Sequence, residues 1–156
     1  LSLHDALPIF HYEQFDKQIE TNLKGAYFLS QKFLRMYEKK HRNGGSILFL
    51  SSERGHYADD LPYGLIKAAI NSLTQGLAKM LIHSNIRINA IAPGITTTDM
   101  TGITKDDIYA DDYSTGRYYL PEEVAEVACF LVSDASSCLS GQIIICNNGD
   151  SINYRK

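Results

Sequence analysis

Gly45-Ser46-Ile47-Leu48-Phe49-Leu50-Ser51-Ser52, then a short polar loop, then Leu61-Pro62-Tyr63-Gly64-Leu65-Ile66-Lys67-Ala68-Ala69, is the stretch on which the fold turns. Residues 47–50 form a continuous apolar run of strand length, the pattern of a strand buried on both faces of a parallel sheet. The run ends in a hydroxyl pair, Ser51 and Ser52. Pro62 then opens a long helix, in the first turn, where a missing N–H costs little. Tyr63 and Lys67 stand four residues apart and therefore share one helix face. A serine at the C-terminal end of a strand thus faces a Tyr/Lys pair on the next helix. In open α/β sheets that end of the strands is where ligands bind.

The residue types suit proton transfer. A free tyrosine titrates near pH ~10, too high for a good acid or base at neutral pH. A neighbouring ammonium favours the phenolate and lowers that value, and transfer is most efficient when the group titrates near the working pH. A serine hydroxyl within reach holds a carbonyl or alcohol oxygen in place. Taken alone, Tyr-x-x-x-Lys is more often the pattern of two surface residues on an amphipathic helix. The strand, the Ser-Ser-x-x-Gly turn and the Ala-Ala after the lysine weigh toward chemistry.

With these motifs in order, the chain resembles the catalytic half of the short-chain dehydrogenase/reductase family. Ser51-Ser52-Glu53-Arg54-Gly55 resembles its Ser-Ser-x-x-Gly turn, and Tyr63-x-x-x-Lys67-Ala68-Ala69 its active-site signature. Arg87-Ile88-Asn89-Ala90-Ile91-Ala92-Pro93-Gly94, followed by Thr98, resembles its next strand and cofactor loop. Leu120-Pro121-Glu122-Glu123-Val124-Ala125 and Ser140-Gly141-Gln142 resemble its last helix and strand, and Asn22-Leu23-Lys24-Gly25 the helix that bears an active-site asparagine. The resemblance runs from about residue 12 to residue 149. It implies a Rossmann-like, doubly wound α/β fold and an NAD(P)-dependent oxidoreductase interconverting a carbonyl and a secondary alcohol. Tyr63 would give or take the proton, Lys67 would lower its pKa, Ser52 would orient the substrate oxygen, and Asn22 would order a relay water. Tyr63, Lys67, Pro93, Gly94, Thr96 and Thr98 would border the cofactor, NAD or NADP. The resemblance also implies a homodimer or homotetramer and a small-molecule carbonyl or alcohol substrate. A reductase of 3-oxoacyl thioesters is the alternative within the family. A non-catalytic truncated relative that binds a partner is the alternative outside it.

The chain departs from the family in places. Residues 55–63 are fewer than is common, Ile66 stands where a small residue is usual, and Asn147-Asn148-Gly149 stands where the family has Asp-Gly-Gly. Within the chain there is no glycine-rich turn between a strand and a helix and no residue that would choose between NAD and NADP. The first four strands of the family have no counterpart here. Residues 10–156 therefore read as the C-terminal part of a single domain, expected to be unstable or to aggregate if expressed alone, through an unpaired strand edge. Residues 1–9, Leu-Ser-Leu-His-Asp-Ala-Leu-Pro-Ile, resemble one reading frame of a short-read sequencing adapter and are read as a non-native segment.

The remaining features are structural. At 156 residues, 44% hydrophobic and 21% charged, the chain is about one domain. A net charge of −3 gives no basic footprint for nucleic acid. No apolar run approaches the roughly 20 residues that span a bilayer, so no membrane partner is expected. Cys129, Cys138 and Cys146 lack metal-ligand spacing and read as buried or reduced thiols of a cytoplasmic protein; no metal is expected. Residues 10–40 read as one long helix, with Asn22 unnatural inside it, stopped at Asn43-Gly44-Gly45. Ile70, Leu73, Leu77, Met80 and Leu81 read as the core stripe of the Tyr63 helix, residues 86–91 and 143–146 as two more buried strands, and residues 100–120 as an irregular segment, which the resemblance implies is the substrate loop and whose tyrosines 109, 113, 118 and 119 are free to stack on a ring or sugar.

Overall fold

The computed structural model describes residues 11–40, 44–104, 106–111 and 113–152. The segment 1–9, Phe10 and the helix stop at Asn43 lie outside the described residues. The expected long helix is present in three pieces: α1 (Tyr12–Ile19), a π-helical turn (Glu20–Lys24) and α2 (Gly25–Lys39). β1 (Gly45–Leu50) follows, then a 3₁₀ turn (Glu53–Gly55), α3 (Pro62–Met80), β2 (Ile86–Pro93), a long irregular segment, α4 (Pro121–Val132) and β3 (Ile143–Cys146).

The strands pair in parallel in the order β1-β2-β3. Gly45 stands opposite Ile86 and Leu50 opposite Ile91, and Ala90 opposite Ile143. Strand side chains alternate between faces, and the alternation defines two layers. Ile47, Phe49, Ile86, Ile88 and Ala90 point to one face, where Ile70, Leu73, Leu77 and Ala78 of α3 and Leu23, Ala26 and Leu34 of the first helix cover them. Ser46, Arg87 and Asn89 point to the other, where α4 lies: Ser46 Oγ and Arg87 Nη1 donate to the Leu131 carbonyl. The result is the expected α/β sheet with helices on both faces.

Burial corrects three expectations. β1 is an edge strand: only Phe49 is buried, and Leu50 is 63% exposed on the α4 face, because no described residue pairs with the outer edge. β3, at the opposite edge, is half-buried for the same reason. On α3 the buried line is Ile66, Ile70, Thr74 and Ala78, with Leu73, Leu77 and Leu81 on its shoulder; Met80 is 65% exposed. The four-residue spacing of that line follows the helix surface more closely than the apolar residues alone.

Two polar devices hold the sheet to its connections. Asn89 is fully buried in β2; its amide donates to the Leu139 carbonyl and its oxygen accepts from the Gln142 N–H. Arg87 caps the last turn of α4, donating to the Leu131 and Ser133 carbonyls and to Ser136 Oγ. Orphan carbonyls at a helix end need such partners.

Candidate active site

The C-terminal ends of the three parallel strands lie together, and the chain places its chemistry there. β1 delivers Ser51 and Ser52, β2 ends at Pro93 and Gly94, and β3 leads into Asn147. The two serines diverge. Ser51 Oγ donates to Asn71 Oδ1 at 2.6 Å and is committed to α3. Ser52 caps the 3₁₀ turn, its hydroxyl oxygen accepting from the Arg54 N–H at 3.3 Å.

α3 starts where it does because Pro62 occupies its first turn and the Asp59 carboxylate accepts from the Leu61 N–H at 2.9 Å. Asp59 is also gripped by Arg54, Nε to Oδ2 at 2.5 Å and Nη2 to Oδ1 at 2.7 Å. This two-point ion pair ties the serine turn to the start of the tyrosine helix. The Arg54 guanidinium holds the Asp59 carboxyl below its usual range. Asp59 packs so closely that Gly64 has no room for a Cβ.

Lys67 Nζ lies 5.4 Å from the centre of the Tyr63 ring and donates to the Leu50 carbonyl at 3.0 Å. Only 7% of the residue is exposed, and burial pulls its ammonium below the ordinary lysine value. Gly55 lies directly against the Lys67 backbone: a Cβ there would sit 2.6 Å from the Lys67 carbonyl carbon. Asn22 lies in the π-helical turn, its amide donating to the Gln18 carbonyl at 3.2 Å. The break in helical period aims this asparagine at the strand ends, and π-turns recur at functional sites.

One cleft of about 460 Å³ is lined by Asn22, Ser52, Tyr63, Lys67, Pro93, Gly94, Thr96 and Thr98, so the eight expected site residues meet in one place. Its other walls include the apolar Leu50, Ile95, Met100 and Val124. Thr96 donates to the Gly94 carbonyl at 2.9 Å, shaping the loop, while Thr98 is exposed. A larger groove of about 740 Å³ between α2 and the far end of α3 holds no comparable set of groups.

The irregular segment folds back on itself through its tyrosines. Tyr113 packs against Tyr118 and Tyr119, with ring centres 5.5 and 6.3 Å apart, and Tyr119 is 7% exposed. These rings pack on one another, and Tyr109 alone of the four is widely exposed. Thr96 bridges to Tyr119, so the segment returns to the loop that follows β2.

Three features escaped the sequence reading: the Arg54–Asp59 clamp, the commitment of Ser51 to Asn71, and a buried carboxyl, Glu53, which lines the cleft and is bonded to Asn147. The Arg/Asp pair at a spacing of five, bracketing the loop, was the one available signal for the clamp.

The described residues contain no helix long and apolar enough to cross a membrane, and no cluster of metal-ligating side chains. A family model described as enoyl-(acyl carrier protein) reductase matches residues 3–151. The chain is similar to the 3-oxoacyl-(acyl-carrier-protein) reductase FabG of Thermotoga maritima, 39% identical over 142 residues, 88% of this chain and 57% of the relative. It is similar to the NAD-dependent glycerol dehydrogenase of Listeria innocua, 37% identical over 146 residues, 90% of this chain and 57% of the relative. Among solved structures, a short-chain dehydrogenase from Leptospira borgpetersenii with bound NAD+ superposes with a TM-score of 0.80 at 28% identity, over 94% of this chain and 59% of that one. The chain thus spans a little over half the length of these relatives. Strand order, cleft and sequence agree, and the chain belongs to the short-chain dehydrogenase/reductase family.

Proposed function

We propose that the protein carrying this chain is an NAD(P)-dependent oxidoreductase that interconverts a carbonyl and a secondary alcohol. The single observation that carries this reading is the convergence of Ser52, Tyr63, Lys67 and Asn22 on one cleft at the strand ends. The donor set suits a nicotinamide nucleoside: the Lys67 ammonium and Thr98 hydroxyl would hold ribose or carboxamide oxygens, and the apolar Pro93 and Ile95 would border the ring. The cofactor, when bound, supplies or accepts a hydride. The Ser52 hydroxyl donates to the substrate oxygen and holds it beside Tyr63. In the reductive direction the Tyr63 hydroxyl gives its proton to that oxygen. The Lys67 ammonium, held above the ring, stabilises the negative charge left on Tyr63. Asn22 positions a water that returns the proton from solvent.

The Thermotoga maritima relative supports a second reading within the same chemistry, reduction of a 3-oxoacyl thioester. The proposal also takes the protein to be a cytoplasmic homodimer or homotetramer. The exposed Tyr27, Phe28, Leu29 and Phe33 of α2 support an interface there. The test is titration of NADH and NADPH into the protein translated from the complete reading frame, followed by nicotinamide fluorescence, together with turnover of a ketone panel at 340 nm. Saturable binding with ketone-dependent oxidation is expected. Absence of both would overturn the reading in favour of a non-catalytic binding protein.

A further inference from the structure

Glu53 follows Ser52 directly, is 7% exposed, and lines the same cleft as Ser52, Tyr63 and Gly94. A buried carboxyl is costly unless partnered, and among the described residues no cation pairs with this one. Its one hydrogen bond is from Asn147 Nδ2 to Oε2, at 2.8 Å. Asn147 is 2% exposed, and its own oxygen accepts from the Gly149 N–H at 3.2 Å, which fixes the amide with its NH₂ toward Glu53. The carboxyl also rests on the cofactor loop: Oε2 lies 3.2 Å from the place a Cβ on Gly94 would take. Glu53 is therefore rigidly placed by one oxygen. Oε1 has no partner among the described residues, and it is absent from the set of fully buried unpartnered polar atoms. The residue lines the cleft, whose walls also include the apolar Leu50, Ile95, Met100 and Val124.

We propose that Glu53 is the specificity-determining residue of this site, and that it selects substrates bearing a hydroxyl one or two carbons from the reacting carbonyl, the hydroxyl donating to Oε1. This rests on the carbonyl–alcohol reading above. A substrate without that hydroxyl leaves a desolvated acceptor unpaired, and sites of this kind reject such analogues strongly. A hydroxyl suits the site better than an ammonium. Burial pushes the Glu53 carboxyl up, toward the neutral form, and a hydroxyl donates to a carboxyl oxygen in either state. A long acyl chain has no group to offer it.

The test compares hydroxyacetone with its isostere 2-butanone in the full-length enzyme, with aminoacetone as a third substrate. Hydroxyacetone is the more reactive ketone, so the reading is the change in the ratio of kcat/KM on mutation. A hydrogen bond to a charged or polarised group contributes enough to change that ratio about 10- to 100-fold. Glu53→Leu should lower the hydroxyacetone to butanone ratio by that factor, mostly through KM. Glu53→Gln, close in shape, should lower it less, because its NH₂ can donate to the oxygen of the same hydroxyl. An unchanged ratio in soluble Glu53→Leu, or aminoacetone as the preferred substrate of the wild type, would overturn the proposal and leave the carbonyl reading standing. Failure of the wild type to reduce any of the three, while it reduces other ketones of the panel, would overturn this proposal alone; absence of nicotinamide binding and of all ketone turnover would overturn the carbonyl reading, and this proposal with it.

Discussion

Replacing Gly55 by Ala tests how tightly the serine turn must sit on the tyrosine helix. The added Cβ would lie 2.6 Å from the Lys67 carbonyl carbon and 2.8 Å from both the Lys67 oxygen and the Ala68 nitrogen. All three are backbone atoms in the middle of α3, so no side chain can swing away. Ordinary contact begins at 3.4 Å, so the turn must retreat by about 0.8 Å. That retreat would break the Ser51 hydroxyl contact to the Lys67 carbonyl, already 3.3 Å, and stretch the 2.9 Å bond from Asn71 to the Gly55 carbonyl. Overpacking of this kind costs about 1–3 kcal/mol, which in a domain of this size lowers Tm by about 2–4 °C per kcal/mol. The same movement carries Ser52 away from Tyr63, and a misplacement near 1 Å costs on the order of 100-fold in rate. Differential scanning calorimetry and kcat/KM should both fall, kcat/KM by more than the lost stability alone explains. A variant with an unchanged melt and kcat/KM within about threefold of wild type would refute the packing argument, given the tenfold-per-1.4 kcal/mol scale.

Other outcomes follow from the same geometry. Lys67→Met should abolish turnover yet stabilise the fold by about 0.5–2 kcal/mol, as relief of a functional compromise does. Burial depresses the folded-state value of Lys67, so the wild type carries this cost at low pH and sheds it as pH rises through that lowered value toward the ordinary 10.5; denaturant melts should show the gap between the two proteins closing over that window. Asn22→Ala should lower kcat about 10-fold or more, as loss of a proton-relay element does, while leaving nicotinamide affinity within twofold by fluorescence; an unchanged kcat would remove Asn22 from the relay. Glu123 is bonded to Arg117 at 2.6 Å and its carboxyl is pulled down to about 2. Its stabilising effect is therefore present above pH 4.5 and lost as pH falls toward 2, and a carbon-detected NMR titration should find its midpoint near the lower value rather than at 4.5.

The sequence made the active-site half of this fold readable because its motifs are local. Ser52-x-x-Gly55 and Tyr63-x-x-x-Lys67 each sit on one element, and their spacing alone brings them to one strand end. Asn22 was readable only through the family, since nothing in Asn22-Leu23-Lys24-Gly25 announces a π-helical turn, a local change of period that propensities do not register. The resemblance implied an unpaired strand edge, but nothing in the run 47–50 marked Leu50 as a residue it exposes. An apolar run looks the same in a central and an edge strand, and only the neighbour count separates them. The packing of Tyr113 on Tyr118 and Tyr119 was hidden because the segment has no period to project. Glu53 was hidden for a third reason: its partner, Asn147, lies 94 residues away in sequence, and no local pattern marks a carboxyl that will be buried.

The most direct test of the central claim is the Tyr63→Phe variant of the full-length protein, which removes one oxygen and leaves the ring under Lys67 in place. With NADH or NADPH and a ketone that the wild type reduces, turnover at 340 nm should fall at least about 100-fold, the scale of a positioned acid, while the nicotinamide binding curve stays superimposable on that of the wild type. Turnover near the wild-type rate with intact cofactor binding would show that the proton comes from elsewhere, and would contradict the role assigned to Tyr63.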